Sequence, residues 1–213
     1  LFPYTTLFRS YNIVDHYTYV FVGDGCLMEG ISHEVCSLAG TMGLGKLIIF
    51  YDDNGISIDG EVEGWFNENV AKRFEAYNWQ VLGAIDGHDE VQINSAILSA
   101  KSELNRPSII ICKTQIGRGS PNKAGLEESH GSPLGAAEIE LVRTALNWEH
   151  EAFHVPDAVY CKVDCKKSGK ALEDSWNTLF AAYKGKYSEA ADEFMRRIQH
   201  KNPQNFAGII SQG

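Results

Sequence analysis

YTYVFVGDG (Tyr17–Gly25) and LIIFYDDNG (Leu47–Gly55) are two short apolar runs, each ending in an acidic turn that carries glycine. Both have the length and the aromatic and β-branched content of buried strands. Between them Ile31–Met42 reads as a helix, ended by Gly43 and Gly45. A strand, a crossover helix and a second strand form a unit whose strands run parallel. Parallel strands finish at one edge, which brings Asp24 and Asn54, thirty positions apart, to the same place. Asp24 offers an anionic oxygen, Asn54 a neutral side-chain carbonyl, and the backbone carbonyl of Ile56 a third oxygen. Magnesium takes such hard donors and completes its shell with water and phosphate. Gly25 lets the backbone approach a diphosphate closely, and the following helix adds the partial positive charge of its N-terminus. The pair therefore reads as a magnesium–diphosphate site outside the carboxyl ends of the strands, where open α/β sheets bind ligands. Gly23-Asp24-Gly25 by itself would equally be a tight turn; the strand-terminal Asn54 makes the difference.

The alternation continues outward. Asp52–Gly64 reads as a polar loop, Asn69–Tyr77 as a helix, Gln80–Ile85 as a strand closed by Asp86-Gly87, and Glu90–Leu104 as a helix with Ile93, Ile97, Ala100 and Leu104 on one face. Pro107 introduces a buried strand, Ser108–Lys113. A long glycine-rich loop, Gln115–Gly135, precedes a helix, Ala136–Leu146, striped by Ile139, Val142 and Leu146. Loops of this length in a compact domain usually carry function. The fold class is α/β, a parallel sheet flanked by helices. After Trp148 the pattern changes. Lys162–Lys170 reads as a surface connection, Ala171–Tyr183 and Ser188–Gln199 as helices, and Lys201–Gly213 as patternless.

Bulk properties exclude several classes. The 213 residues carry a net charge of −9, so there is no electrostatic footprint for nucleic acid. No apolar run approaches the ~20 residues that span a bilayer, and no signal peptide is visible. Five cysteines, odd in number and irregular in spacing, form no disulfide framework and suit a reducing, cytoplasmic compartment. Cys161 and Cys165 lack a second pair for zinc, and His150 and His154 lack a third ligand. Asp52 and Asp53 read as groups that orient Asn54 or cap the loop. His33 is open between packing and a role, and Lys123 and Arg118 between phosphate contact and a solvated charge.

Longer strings carry a resemblance. Gly23–Gly60 (GDGCLMEGISHEVCSLAGTMGLGKLIIFYDDNGISIDG), EGWF at Glu63–Phe66, RFEAYNW at Arg73–Trp79, DGHD at Asp86–Asp89, GSPNKAG at Gly119–Gly125 and SHGSPLG at Ser129–Gly135 resemble transketolase. The likeness runs from Tyr11 into the C-terminal helices. It implies a thiamine diphosphate-binding fold, with this chain holding an incomplete diphosphate-binding domain and a C-terminal helical connection. It implies thiamine diphosphate and Mg2+ (Ca2+ or another divalent ion in its place) as cofactors. Asp24, Asn54 and Ile56 then correspond to metal ligands, and Gly23, Gly25 and Asn54 to diphosphate contacts. His130 corresponds to a histidine touching both cofactor and sugar. Glu29 corresponds to a carboxylate that joins two cofactors across a homodimer; it would otherwise be an acid favoured at a helix N-terminus. The implied reaction moves a two-carbon ketol unit between sugar phosphates in the pentose phosphate pathway. Dihydroxyacetone synthase shares the same motifs.

The chain opens with Leu, and Leu1–Ser10 (LFPYTTLFRS) looks like translated sequencing adapter. The expected organisation is thus an artefact over 1–10, a partial diphosphate-binding domain over 11–148, and a helical extension leading to a missing pyrimidine-binding domain over 149–213. The resemblance puts the carboxylate that activates the cofactor, and the arginines that grip sugar phosphate, outside this sequence. The isolated chain is therefore expected to bind without turnover, and to expose apolar surface that a complete protein covers.

Overall fold

The computed structural model describes residues 11–58 and 60–210. The adapter-like Leu1–Ser10 lies outside the described residues. Two compact units make up the chain. One is His16–Glu151; the other is Leu1–Asp15 with Ala152–Gly213, described over 11–15 and 152–210.

The first unit holds a parallel sheet built from β1 (Thr18–Gly23), β2 (Leu47–Asp53), β5 (Gln80–Asp86) and β6 (Ser108–Lys113), in the order β1-β2-β6-β5. Its register pairs Gly23 with Asp52 and Asp53 with Lys113, so the strand ends share one edge. A small hairpin, β3 (Ile56–Ser57) and β4 (Gly60–Glu61), stands where the sequence suggested a structureless polar loop. Its two-residue strands are too short to leave a period in the sequence.

Helices cover both faces, which is why the strands are apolar without alternation. On one face α1 (Asp24–Met28), α2 (Gly30–Met42) and α3 (Val70–Ala76) bring Leu27, Cys36 and Phe74 against Ile49, Tyr51, Ile109 and Ile111. On the other, Ala96 and Ala100 of α4 (Glu90–Ser102) meet Ile48, Phe50, Ile110 and Cys112. Trp79 is buried between α2 and α3. Its indole N–H donates to the Cys36 carbonyl at 2.8 Å, and its ring stands edge-on to Phe74 at 5.1 Å. Gly40 permits this packing: a Cβ there would lie 1.7 Å from the Tyr77 carbonyl oxygen. Gly43, at φ +62, ends α2 in the left-handed conformation that glycine adopts without strain.

Two expectations change here. No turn separates β1 from a helix, because Asp24 itself opens α1. Helix α5 (Ala136–Ala145) does not bury the stripe the sequence suggested: Ile139 and Leu146 are 47% and 56% exposed, while Glu138 is buried. Apolar side chains also stand exposed on α2, at Ile31, Val35 and Leu38, and on β1 at Phe21.

In the second unit the lysine-rich stretch is helical, in α6 (Asp157–Val163) and the start of α7 (Lys166–Lys186). Helix α7 and α8 (Ser188–Ile198) pack Tyr183 and Ala191 with Ile13, Leu179 and Phe180. Trp176 stacks on Phe180 at 5.0 Å and donates to the Ile13 carbonyl at 2.9 Å. Leu172 is exposed, so the apolar stripe starts one turn later than its sequence suggests. The patternless tail contains α9 (Phe206–Ile210). Among the described residues no helix is long and apolar enough to cross a membrane.

Candidate metal and diphosphate site

Asp24 is 3% exposed at the end of β1. The Tyr51 hydroxyl donates to Oδ1, and the Gly55 N–H donates to Oδ2 at 3.1 Å. Tyr51 reaches Asp24 because β1 and β2 pair in parallel with Val22 opposite Tyr51. Burial holds the Asp24 carboxyl above its ordinary range, and the Asp53 and Asp52 charges push the same way. The Tyr51 hydroxyl and the Gly55 N–H act against that rise. Burial, then the bond to Asp24, drives the Tyr51 hydroxyl far up.

Asn54 follows at the end of β2. Its Oδ1 accepts from the Ile56 N–H at 2.9 Å, and its Nδ2 donates to Asp52 Oδ2 at 3.2 Å. Asp52 also accepts from the Thr114 hydroxyl, and Asp53 pairs with Lys113 at 2.6 Å. The two aspartates are thus separately engaged, and Asp52 orients Asn54, as the sequence suggested. Gly55, at φ +71, lets the chain turn back so that its own N–H faces Asp24.

The donor set fits a hard cation. Each Asp24 oxygen and Asn54 Oδ1 uses one lone pair in the bonds above and keeps another. Among the described residues no group of three or more His, Cys, Asp and Glu side chains gathers for a metal. An ion at Asp24 would therefore draw further oxygens from Asn54, backbone and ligand, the sharing that suits magnesium on a diphosphate. Cβ positions built at Gly23 and Gly25 meet nothing within 4 Å, so the backbone there is open to a bulky anion. The helix directly beside it, α1, has only five residues and offers local N–H groups; the longer helix the sequence placed after the turn is α2, which starts at Gly30.

A cleft of about 410 Å³ adjoins this edge, lined by Asn54, Gly55, Ile56, Glu61, Phe66 and, from the long loop, Gly125. His130 does not line it. It stands exposed after a 3-10 turn, Glu127–Ser129. Glu29 is exposed at the break between α1 and α2 and makes no side-chain cap. A larger, mostly apolar cleft of about 530 Å³ opens on the α4 face beside Phe21 and Ile93; it shares Gly23 and Asp52 but none of the metal donors.

The sequence did not suggest Glu138 as part of the long loop's frame. Its carboxylate accepts from the Ser120 hydroxyl, from the Asn122 N–H at 2.9 Å and from Asn122 Nδ2 at 2.9 Å. Asn122, and after it Ser120, hold this carboxyl below the ordinary range. Ser129 donates to the Lys123 carbonyl at 2.6 Å, and His88 Nε2 accepts from the Gln115 N–H at 3.0 Å. Lys123 itself pairs with Glu128 at 3.4 Å.

Comparison with known proteins gives this arrangement its class. Residues 5–203 match the family described as "Transketolase, thiamine diphosphate binding domain", so the sheet edge belongs to a thiamine diphosphate-binding domain. Transketolase 2 of Escherichia coli K12 is 58% identical over 197 residues, 92% of this chain and 30% of that protein. Transketolase 2 of Aliivibrio fischeri is 59% identical over 198 residues, 93% of this chain and 30% of that protein. A crystal structure of transketolase from Pichia stipitis in complex with sedoheptulose 7-phosphate superposes with a TM-score of 0.83 at 42% identity, over 92% of this chain and 29% of that one. Transketolase from Leishmania mexicana gives 0.83 at 35% identity, over 92% and 30%. The chain belongs to the transketolase family. It spans about 30% of the length of the curated relatives it matches.

Proposed function

We propose that Asp24, Asn54 and the Ile56 carbonyl hold a magnesium ion against the diphosphate of thiamine diphosphate. In this reading Gly23 and Gly25 give the phosphates room, and Ca2+ is an alternative ion. The observation that carries the reading is Asp24, buried at the end of β1 and bonded by the Gly55 N–H from the loop that holds Asn54. Thiamine diphosphate, when bound, supplies the nucleophilic carbon that accepts and passes on a two-carbon ketol unit. What these residues contribute is binding and orientation. Tyr51 keeps Asp24 in one rotamer and opposes the rise that burial imposes on its carboxyl, Asp52 keeps Asn54 turned to the site, and Glu138 frames the loop that bears His130.

The protein to which this chain belongs would transfer ketol units between sugar phosphates as a homodimer in the cytoplasm. His130 would contact cofactor and substrate, and Glu29 would face the partner subunit. The five free cysteines support a reducing compartment. The boundary near 148 would separate the diphosphate-binding domain from a helical connection. The 213 residues by themselves are a binding domain without turnover, a reading supported by their covering 30% of the relatives' length.

Calorimetric titration of the chain with thiamine diphosphate, with and without magnesium, tests the site. Binding should require magnesium, and Asp24→Ala should abolish it; equal affinity in that variant removes Asp24 from the metal shell. Ketol transfer from xylulose 5-phosphate to ribose 5-phosphate by the chain alone would overturn the non-catalytic reading.

A further inference from the structure

Arg73 lies on α3 with its side chain 11% exposed. Its Nη1 donates to the Leu27 carbonyl at 3.1 Å. Leu27 is the penultimate residue of α1, and its carbonyl is among the last four, which a helix cannot satisfy from within. The same Nη1 meets the ring nitrogens of His33, on α2, at 2.9 and 3.1 Å. His33 Nδ1 in turn lies 3.0 Å from the Tyr77 hydroxyl. A guanidinium only donates, so one assignment satisfies the set. One Nη1–H goes to the Leu27 carbonyl, the other to His33 Nε2, and His33 Nδ1–H goes to Tyr77. Nη2 stands 2.8 Å from Glu68. Arg73 therefore ties the end of α1 to the first turn of α2 from a third helix, across the break at Glu29-Gly30.

Glu29 provides no side-chain cap at that break; the Ser32 hydroxyl, in the first turn of α2, spans it too, donating to the Cys26 carbonyl at 2.6 Å. Asp24 and Leu27 occupy the same single turn, so a rotation of α1 about its axis would carry the Asp24 carboxylate with it. Five helical residues cannot hold such a turn on their own propensity. A lysine would keep the charge but not the fork that serves two acceptors in fixed directions.

We infer that Arg73 is a positioning residue of the diphosphate turn: beside the Ser32 bond it locks α1 to α2 against α3 and so sets where Asp24 and Glu29 stand for a magnesium-bound diphosphate. The ligand half of this inference rests on the function proposed above; the positioning half does not. Amide hydrogen exchange on the whole chain, wild type against Arg73→Met and Arg73→Lys, reads the positioning. Residues 24–30 should exchange about tenfold faster or more in Arg73→Met, with β2 and β6 unchanged and Arg73→Lys intermediate. A purely packing role would loosen the sheet in step with the turn. Calorimetry with thiamine diphosphate and magnesium should show Kd raised about tenfold in Arg73→Met. Exchange over 24–30 within about twofold of wild type overturns the inference; so does faster exchange with Kd unchanged. If Arg73→Met does not fold, the same two readings on Arg73→Lys decide it. If the wild type binds no thiamine diphosphate, the proposed function fails and the exchange comparison still settles the positioning role.

Discussion

Tyr51→Phe removes one of the two donors that, among the described residues, reach Asp24, a carboxylate only 3% exposed. A hydrogen bond to a charged group is worth about 1.5–3 kcal/mol. Its loss should lift the Asp24 pKa further. Burial already holds this carboxyl above its ordinary 3.8. A carboxyl whose pKa is higher folded than unfolded takes up protons on folding. Its contribution to stability is full at low pH and is lost as pH rises through the folded pKa. Without the tyrosine hydroxyl that loss widens. The variant's deficit should therefore be about 1.5–3 kcal/mol near neutrality, shrinking in acid toward the ~0.5–1.5 kcal/mol of a neutral hydrogen bond. Urea unfolding in chelator-containing buffer at about pH 7.5 and about pH 4 measures both deficits without metal. Equal deficits at the two pH values, or one that grows in acid, would refute the wiring of Asp24 to Tyr51.

Three further substitutions test the frame around the site. Gly40→Ala forces a methyl to within 1.7 Å of the Tyr77 carbonyl oxygen, so α2 and α3 must separate at a cost of about 1–3 kcal/mol; an unchanged urea midpoint would contradict that contact. Asn69 caps α3 by accepting from the Lys72 N–H at 2.9 Å, and Asn69→Ala should cost about 1 kcal/mol of unfolding free energy, with no loss counting against the cap. Glu138→Ala frees Ser120 and Asn122 together. Limited proteolysis followed by mass spectrometry should then find faster cleavage between residues 117 and 130 while the sheet stays intact, and an unchanged cleavage pattern would mean the loop is held by something else.

The strands were legible where burial on both faces leaves one kind of signal. Ser108–Lys113 is a continuous apolar run behind Pro107, and β6 has those same bounds. The Gly43 end of α2 was legible because only a residue tolerant of positive φ serves there. Helix α1 was not, since two glycines around Asp24 read as a turn and its helicity depends on docking Leu27 into the core. Ile139 and Leu146 suggested the wrong buried face for α5. What that helix buries is Glu138, whose partners Ser120 and Asn122 lie eighteen and sixteen positions earlier and meet it only once the loop has folded. Asp24 and Asn54 stood out by their place at two strand ends, and Asp52 as a group to orient Asn54, yet Tyr51 and Gly55, which bond Asp24, sit in the same strings and carried no separate mark. Arg73 lay in plain view inside RFEAYNW, but its target is a backbone carbonyl, which no side-chain pattern announces.

The strand order also dictates a sequence of events during synthesis. Strand β6 is the last of the four to be made, yet it stands between β2 and β5. Its Ser108 pairs with Ile48, sixty residues back, and with Gln80, twenty-eight residues back. Pairings over such separations close slowly, because the chain entropy must be lost before the contact forms. While the ribosome adds roughly 5–20 residues per second, β1 and β2 can pair early, but β5 waits without a neighbour. The seam is closed by the newest segment, so a chain halted between Asp86 and Ser108 holds β5 without its sheet neighbour.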